Sequence, residues 1–553
     1  MSRNIARRVI VEGRLVCQTP ISVGGLDSRS GSDLPLAVNG EGKFYAPGTS
    51  LAGPLRAWCA EAFTPEEADA LWGPRDANAG HASYVIVEDA VIEAGAIAPE
   101  LRDGVGIDRY TGAAADKAKF DREILPAGTA LPFRLLFEEL REDKTNGAAI
   151  LAALLQALQA GEVHLGAARS RGLGKVKLEG LKVLERKFDS RDGILASLRG
   201  GAQPSESLEA LCADWKDRRR QRPVIRIRIG WRPNGPMMVK SAVDGMVVDA
   251  LPLLSQKGGA LHFALPGSST KGALRSQAER IVTTLLDPRT PEGEPETPEG
   301  KKFPKQLARF SIVTHMFGAP NAPASADDKD KTWLPGLSPL SVEDCFSKSE
   351  ISAQTLDHML SGGEGGKDLP DWTKALPQYQ YNTDGRPYFD PSAHVAIDRW
   401  TGGASDGALF SVLQPWNFQW SALMLAIDPN RLPRRAGEDG KDDIEEALAA
   451  IALLLLTLAD FVKGETPLGF GTNRGFGSVT VNCVSMEIPE AETCRKGFVR
   501  DVLASLQDLR VEIMGGRLKL EGEAVLRLRK AWTQYLKQAA EVPQNAGRMR
   551  AQA

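Results

Sequence analysis

The chain has 553 residues, 42% of them hydrophobic and 25% charged, so it can bury two to four sizeable cores and is neither disordered nor fibrous. A formal charge of −3 excludes a protein that coats nucleic acid through bulk charge, although a local groove can still be basic. The six cysteines (Cys17, Cys59, Cys212, Cys345, Cys483, Cys494) lie apart, with no C-x-x-C pair and no histidine at ligand spacing, which argues against disulfides or a zinc site and fits a reducing cytoplasm.

The start, MSRNIARRVIVEGRL, has no apolar signal core and runs straight into strand-like alternation over 9–19. A glycine- and serine-rich loop then carries Asp27 and Asp33, and Pro47-Gly48-Thr49-Ser50 opens a helix bearing Arg56. A second strand is expected at 83–95. An irregular arm follows from 105 and returns into a strand by 140, then an apolar helix at 147–160. The unit closes on a glycine-rich loop at 164–180, with Arg169, Arg171 and Lys175, that leads into a last strand. The order is strand, helix, strand, strand, helix, strand.

A charged connector, expected to be helical, spans 190–222, and the pattern then starts again with the strand VIRIRIGWRP at 224–233. Asp244 and Asp249 precede Pro266-Gly267-Ser268-Ser269 and a helix with Lys271 and Arg275. The arm IDRYTGAAADKAKF (107–120) returns as IDRWTGGASDGALF (397–410), identical at nine of fourteen positions, and SRGLGKV (170–176) returns as NRGFGSV (473–479). Spacing between the copies grows from 219 residues at the Pro-Gly turn to 290 at the arm and 303 at the glycine loop. The second copy therefore holds about seventy extra residues, read as a Pro-, Gly- and Asp-rich insertion over about 284–390 that partly lacks a core. The apolar run at 447–462 is too short for a membrane span and reads as a core helix, so no membrane partner is expected. The domain reading is 1–189, connector 190–222, 223–490 and a helical tail at 491–553.

Ser50 and Ser269 read as helix N-caps after a Pro-Gly turn, presenting N–H groups and the positive helix end to a phosphate. Tyr110, Trp400, Phe120 and Phe410 offer flat faces for stacking on bases, or for packing the arms on their own modules. Asp108-Arg109 and Asp398-Arg399 could be local ion pairs. The glycine loops are neither a Walker A loop nor a dinucleotide turn, since each leads into a strand, but with Arg169, Arg171 and Arg474 they could approach a sugar-phosphate chain. His164, His315 and His394 read as structural. An aspartate in a turn most often makes a local hydrogen bond, and that is the plain reading of Asp27, Asp33, Asp244 and Asp249.

The doubled β-α-β-β-α-β order is the ferredoxin-like split unit, an α+β fold. Together with the aspartate-bearing loop, the P-G-[ST]-S helix start, the I-D-R-x-T-G arm and the terminal glycine loop, it resembles two fused modules of the RAMP superfamily. These are of the Cas-seven type that forms the backbone of type III CRISPR effectors, in a fusion similar to III-D arrangements. The resemblance implies a subunit that grips CRISPR RNA and pushes its arms between bases of the guide–target duplex. It further implies that complementary target RNA is cut at two sites six nucleotides apart. Asp33 and Asp249 would be the catalytic and Mg2+-binding residues, with Asp27 and Asp244 as second choices. Expected RNA contacts are Ser50, Arg56, Ser269, Lys271, Arg275, Arg109, Tyr110, Arg399, Trp400, Arg169, Arg171 and Arg474. Further backbone subunits, a small helical subunit and a large polymerase-like subunit are the implied partners. One rival is a non-catalytic scaffold with the same grip on RNA. The other, a guide-processing nuclease with a histidine near the first helix, is poorly supported because His81 lies well beyond that helix.

Overall fold

The structure is a computed structural model and describes residues 4–25, 31–74, 80–93, 98–141, 147–200, 203–204, 223–242, 248–286, 299–319, 338–352, 356, 389–436, 442–494 and 497–550. Asp27, Asp244 and most of the connector therefore lie outside the described residues. The chain divides into two compact units. The first comprises Met1–Leu101, Asp121–Arg222 and Gln256–Gly259, and the second Arg102–Phe120, Pro223–Ser255 and Ala260–Ala553.

The first copy runs β1 (Ile5–Cys17), α1 (Gly48–Ala62), α2 (Pro65–Trp72), β2 (Val85–Val87), an arm hairpin β3 (Glu100–Ile107) and β4 (Ala114–Ile124), β5 (Ala130–Leu140), α3 (Gly147–Ala160) and β6 (Val176–Lys187). Its antiparallel sheet has the order β2–β5–β1–β6, with the short strand Gln203–Pro204 at the far edge. β1 buries Val9, Val11, Leu15 and Cys17 at alternate positions, and β5 does the same with Leu131, Phe133, Leu135 and Phe137. The period of two sends these side chains to one face, where α1 and α3 cover them, each large side chain contributing about 1.5–3 kcal/mol by leaving water. The connector begins with α4 (Arg191–Leu198), capped by Ser190 accepting from the Gly193 N–H at 3.2 Å.

The second copy repeats the topology. It runs β7 (Ile225–Pro233), α5 (Gly267–Leu286), α6 (Glu299–Ala308), α7 (Ser311–Phe317), β8 (Leu340–Val342), the arm strands β9 (Phe389–Ile397) and β10 (Ala404–Pro415), β11 (Leu423–Ile427), α8 (Glu445–Val462) and β12 (Val479–Glu487). The sheet order is β8–β11–β7–β12, again antiparallel. Ile225, Ile227, Ile229 and Trp231 alternate into the core. The doubled ferredoxin-like α+β fold is thus present in both copies. Among the described residues no helix is long and apolar enough to cross a membrane, and α8 lies in the core of the second unit.

Two expectations need correction. The stretch 284–390, read as an insertion that partly lacks a core, is not all insertion, because it contains β8, the second strand of the sheet, and Ile312, Val313, Met316 and Phe317 of α7 are buried in the core. A short sequence match marks the place: Val87-Glu88-Asp89 recurs as Val342-Glu343-Asp344, 255 residues on, so the extra length divides about equally before and after β8. The tail is not wholly helical either. After α9 (Phe498–Leu506) comes a hairpin, β13 (Arg510–Met514) and β14 (Arg517–Glu521), closed by Gly515 and Gly516 at φ 57 and 71, and only then α10 (Ala524–Arg550). Two glycines of positive φ give the tight turn whose twist matches paired strands. Phe498, Val502, Leu503, Leu506, Ala524, Leu528 and Ala531 belong to the core, so the tail is a structural part of the second unit.

Candidate nucleic-acid interface

The helix starts behave differently from the expectation. α1 begins at Gly48 with Pro47 as its cap residue and no side-chain cap, and the Ser50 N–H closes the first turn on the Pro47 carbonyl at 2.8 Å. Ser269 does the same on Pro266 at 2.9 Å. The anion at each helix start comes from the protein itself. Gly48 N–H donates to Asp89 Oδ1 at 2.7 Å, and Gly267 N–H donates to Asp344 Oδ1 at 2.8 Å. A carboxylate in that place satisfies an open N–H and the positive helix end together. The two helix starts are therefore not phosphate sites. The repeated V-E-D was the signal for these caps.

Several expected phosphate ligands are also spent internally. Arg56 pairs with Asp69 at 2.6 Å. Lys271 is buried, and its Nζ donates to the Leu340 carbonyl at 2.8 Å. Arg275 pairs with Glu279 at 2.8 Å and donates to the carbonyls of Gly318 and Leu307. Arg109 also pairs with Glu279. Charges neutralised inside a fold are poor ligands for an outside phosphate, so Lys271 and Arg275 leave the candidate interface, while Arg56 and Arg109 each hold an internal partner and stay partly exposed.

The arms keep their candidacy, and their repeated sequence has a local cause. Asp108 Oδ1 accepts from the N–H groups of Tyr110 and Thr111 at 2.9 and 2.8 Å, and Asp398 Oδ1 accepts from Trp400 N–H at 2.7 Å. Thr111 Oγ1 and Thr401 Oγ1 accept from Ala113 and Gly403 N–H, and Gly112 and Gly402 take φ 68 and 71. The D-R-x-T-G motif is a turn-builder, and neither aspartate bonds its neighbouring arginine. What it displays is the aromatic residue: Tyr110 is 64% exposed and Trp400 96%. Arg399 is exposed as well. The tip of the first arm falls within the second unit, where Gln306 bonds both Asp108 and the Arg109 N–H. Lower on the arms, Phe120 packs across Gly104, and Phe410 stacks on His394 with ring centroids 5.2 Å apart. Both phenylalanines therefore pack on their own arms.

The loop aspartates are placed by a contact that the sequence did not show. Asp33 Oδ2 accepts from the Asp121 N–H at 3.0 Å, while Asp33 N–H donates to Asp121 Oδ1 at 2.6 Å. In the second copy Asp249 Oδ2 accepts from the Ser411 N–H at 2.7 Å and from its hydroxyl at 2.9 Å, while Asp249 N–H donates to Ser411 Oγ at 3.1 Å. Asp121 and Ser411 are equivalent residues, each directly after the last phenylalanine of its arm motif. Each copy thus latches its loop aspartate to the base of its arm, and both carboxylates stay exposed. The bonds from Ser411 hold Asp249 below the usual aspartate range. Among the described residues no three His, Cys, Asp or Glu side chains converge to hold a metal. The pair Asp33 and Asp121, and Asp249 alone, match the one or two carboxylates that a largely hydrated Mg2+ takes when a substrate phosphate supplies the rest.

The glycine loops serve packing first. Arg169–Arg171 and Thr472–Arg474 form equivalent single turns, and the N–H groups of Gly174 and Gly477 donate to the carbonyls of Pro20 and Pro236. Those donors are not open to a phosphate. The side chains they carry are: Arg171 is exposed, and Arg474 lies over the rings of Phe410 and Phe470 at 4.9 and 5.7 Å.

No curated protein matches the chain. Among solved structures it is similar to the crystal structure of the Csm3-Csm4 subcomplex in the type III-A CRISPR-Cas interference complex, at 20% identity and a TM-score of 0.26, over 38% of this chain and 96% of that one. The family model of the RAMP superfamily matches residues 14–177 and 261–480, one stretch in each ferredoxin-like copy and well over half of the whole. By that double match the chain belongs to the RAMP superfamily.

Proposed function

We propose that the chain is a CRISPR RNA-binding backbone subunit of a type III effector complex, acting with further subunits of that complex, and that it cuts complementary RNA once at each copy. The observation that carries this reading is the duplicated latch: an exposed loop carboxylate fixed to the base of an arm whose tip presents a bare aromatic ring. An aromatic ring wedged between bases gains on the order of 1–3 kcal/mol per stacked base and turns the neighbouring nucleotide out of its stack. Asp33 and Asp249 then stand where they can orient the 2′-hydroxyl that attacks the adjacent phosphorus, with the 5′-oxygen of the next nucleotide departing. Mg2+ held by Asp33 with Asp121, and by Asp249, would neutralise charge on the phosphate. The same latch also favours a second reading, a scaffold without catalysis, because it gives each aspartate a structural task.

The test is to load the full chain with guide RNA, add an end-labelled complementary strand with and without Mg2+, and map both ends of every product. Two cuts six nucleotides apart are expected. A target left intact in the assembled complex would support the scaffold. The interface itself is checked by salt. Removing charge at Arg171, Arg399 and Arg474 together is expected to flatten the log–log salt dependence of RNA binding by about 0.7 per lost contact, since each phosphate contact releases counterions. Lys271→Ala and Arg275→Ala should leave that slope alone and lower stability, by about 3–5 kcal/mol where a buried pair is broken.

A further inference from the structure

The two copies differ at one node beside the loop aspartate. In the second copy Met238, Ala250, Val412 and Phe476 are buried together, with Phe410 and Phe470 packed on them and Arg474 over the two rings. The loop aspartates stand 216 residues apart (249 − 33), and with the spacings of 290 at the arm and 303 at the glycine loop this places Ser22, Leu34, Arg122, Leu173 and Ala167 at the positions of Met238, Ala250, Val412, Phe476 and Phe470. A valine of zero exposure is thus replaced by an arginine, and the ring of Phe470 is gone from the place where Arg171 corresponds to Arg474.

Arg122 follows Asp121, the latch residue, and its backbone bridges Leu34, next to Asp33. It is half-buried, while Arg171 reaches solvent. Neither guanidinium makes an ion pair or side-chain hydrogen bond with another described residue. In the second copy the equivalent positions meet at one spot, where Val412 lies in the cluster on which Phe410 and Phe470 pack and Arg474 lies over those two rings. A half-buried cation that pairs with no carboxylate among the described residues costs stability in the free protein, and an anion shared with a second arginine removes that cost. Guanidinium groups match the oxygens of a phosphate two at a time.

We propose that Arg122 and Arg171 form a phosphate-binding site found only in the first copy, holding a backbone phosphate of an RNA strand beside Asp33. The second copy holds its equivalent segment by apolar and cation–π packing instead. From the preceding section this takes only that the ligand is RNA; it does not require cutting.

The test uses the full chain with Arg122→Gln, Arg171→Gln, the double variant and Arg122→Lys, measuring melting of the RNA-free protein and binding of a single-stranded RNA across a salt series. In the double variant the melting temperature should hold or rise. Affinity should fall on the order of 10- to 100-fold, and the log–log salt slope should shrink by about 0.7, one phosphate's worth. Arg122→Lys should keep most of the slope. Where the wild-type complex cuts, only the cut at the first copy should slow. An unchanged affinity and slope in the double variant overturns the site, and so does a lowered melting temperature with an unchanged slope, which would make the arginines structural. A wild type that binds RNA but cuts nothing overturns the cleavage reading alone, and the slope still decides this one. A wild type that binds no RNA overturns both.

Discussion

Asp249→Asn is expected to slow the cut at the second copy by roughly 10²–10⁴-fold while leaving the arm in place, and Asp33→Asn should do the same to the first cut alone. Asparagine keeps an oxygen that can accept from the Ser411 N–H and hydroxyl, so the latch survives and only the negative charge is lost. Alanine removes both, and by comparison with asparagine it separates chemistry from architecture. If Asp249→Asn cuts at the wild-type rate and only Asp249→Ala fails, the carboxylate is a latch and the scaffold reading stands. Acid offers a second check. The Ser411 bonds lower the Asp249 pKa, so the stability they give is present above the ordinary aspartate value and is lost only as pH falls through the lowered one. The second cut should accordingly not be limited by protonation of Asp249 at mildly acidic pH. Product mapping for each variant, at single-nucleotide resolution, reads all of these outcomes.

Much of this was legible because the chain states its design twice. Alternation in VIVEGRLVC and VIRIRIG marked the central strands, and the repeated arm and glycine loop fixed the order of the elements between them. Contacts distant in sequence were not legible. Asp121 and Ser411 are different residue types, and what the latch repeats is a side-chain oxygen that accepts from the loop aspartate's N–H and a backbone N–H that donates to its carboxylate, groups that no short motif marks. The Ser50 and Ser269 caps were misplaced for a related reason: local pattern favoured a serine, while tertiary structure delivered Asp89 and Asp344 to Gly48 and Gly267 instead. Arg275 looked like a phosphate ligand because Arg56 stands at the same helix position 219 residues earlier, and Lys271 because it lies one turn before Arg275. Only burial shows that their charges face the Leu340 carbonyl and Glu279. The β13–β14 hairpin was missed under a run of Leu, Lys and Arg, although its Gly515-Gly516 pair is a turn signal.

Gly477→Ala is expected to destabilise the second unit by more than about 4 kcal/mol, beyond the usual range for a single substitution. Two effects add at this residue. Its φ of 73 is costly for any side chain, on the order of 1–2 kcal/mol, and a Cβ there would meet the Leu468 carbonyl oxygen at 1.9 Å. Neither partner can step aside, because Leu468 N–H is bonded to the Gly477 carbonyl at 2.9 Å and Gly477 N–H to the Pro236 carbonyl at 2.9 Å. Gly174 repeats the arrangement in the first copy, at φ 88 and 2.0 Å from the Leu165 carbonyl, so Gly174→Ala should destabilise the first unit alike. Gly475 is the control. It has φ 88 with nothing within 4 Å, so Gly475→Ala carries the backbone strain alone and should cost about 1–2 kcal/mol. Thermal melting of the three variants separates the effects; equal losses for Gly475→Ala and Gly477→Ala would show that the loop relaxes away from Leu468. Because this loop also sets Arg474 over Phe410 and Phe470, Gly477→Ala should weaken RNA binding under conditions in which the protein stays folded, and Gly475→Ala should weaken it less.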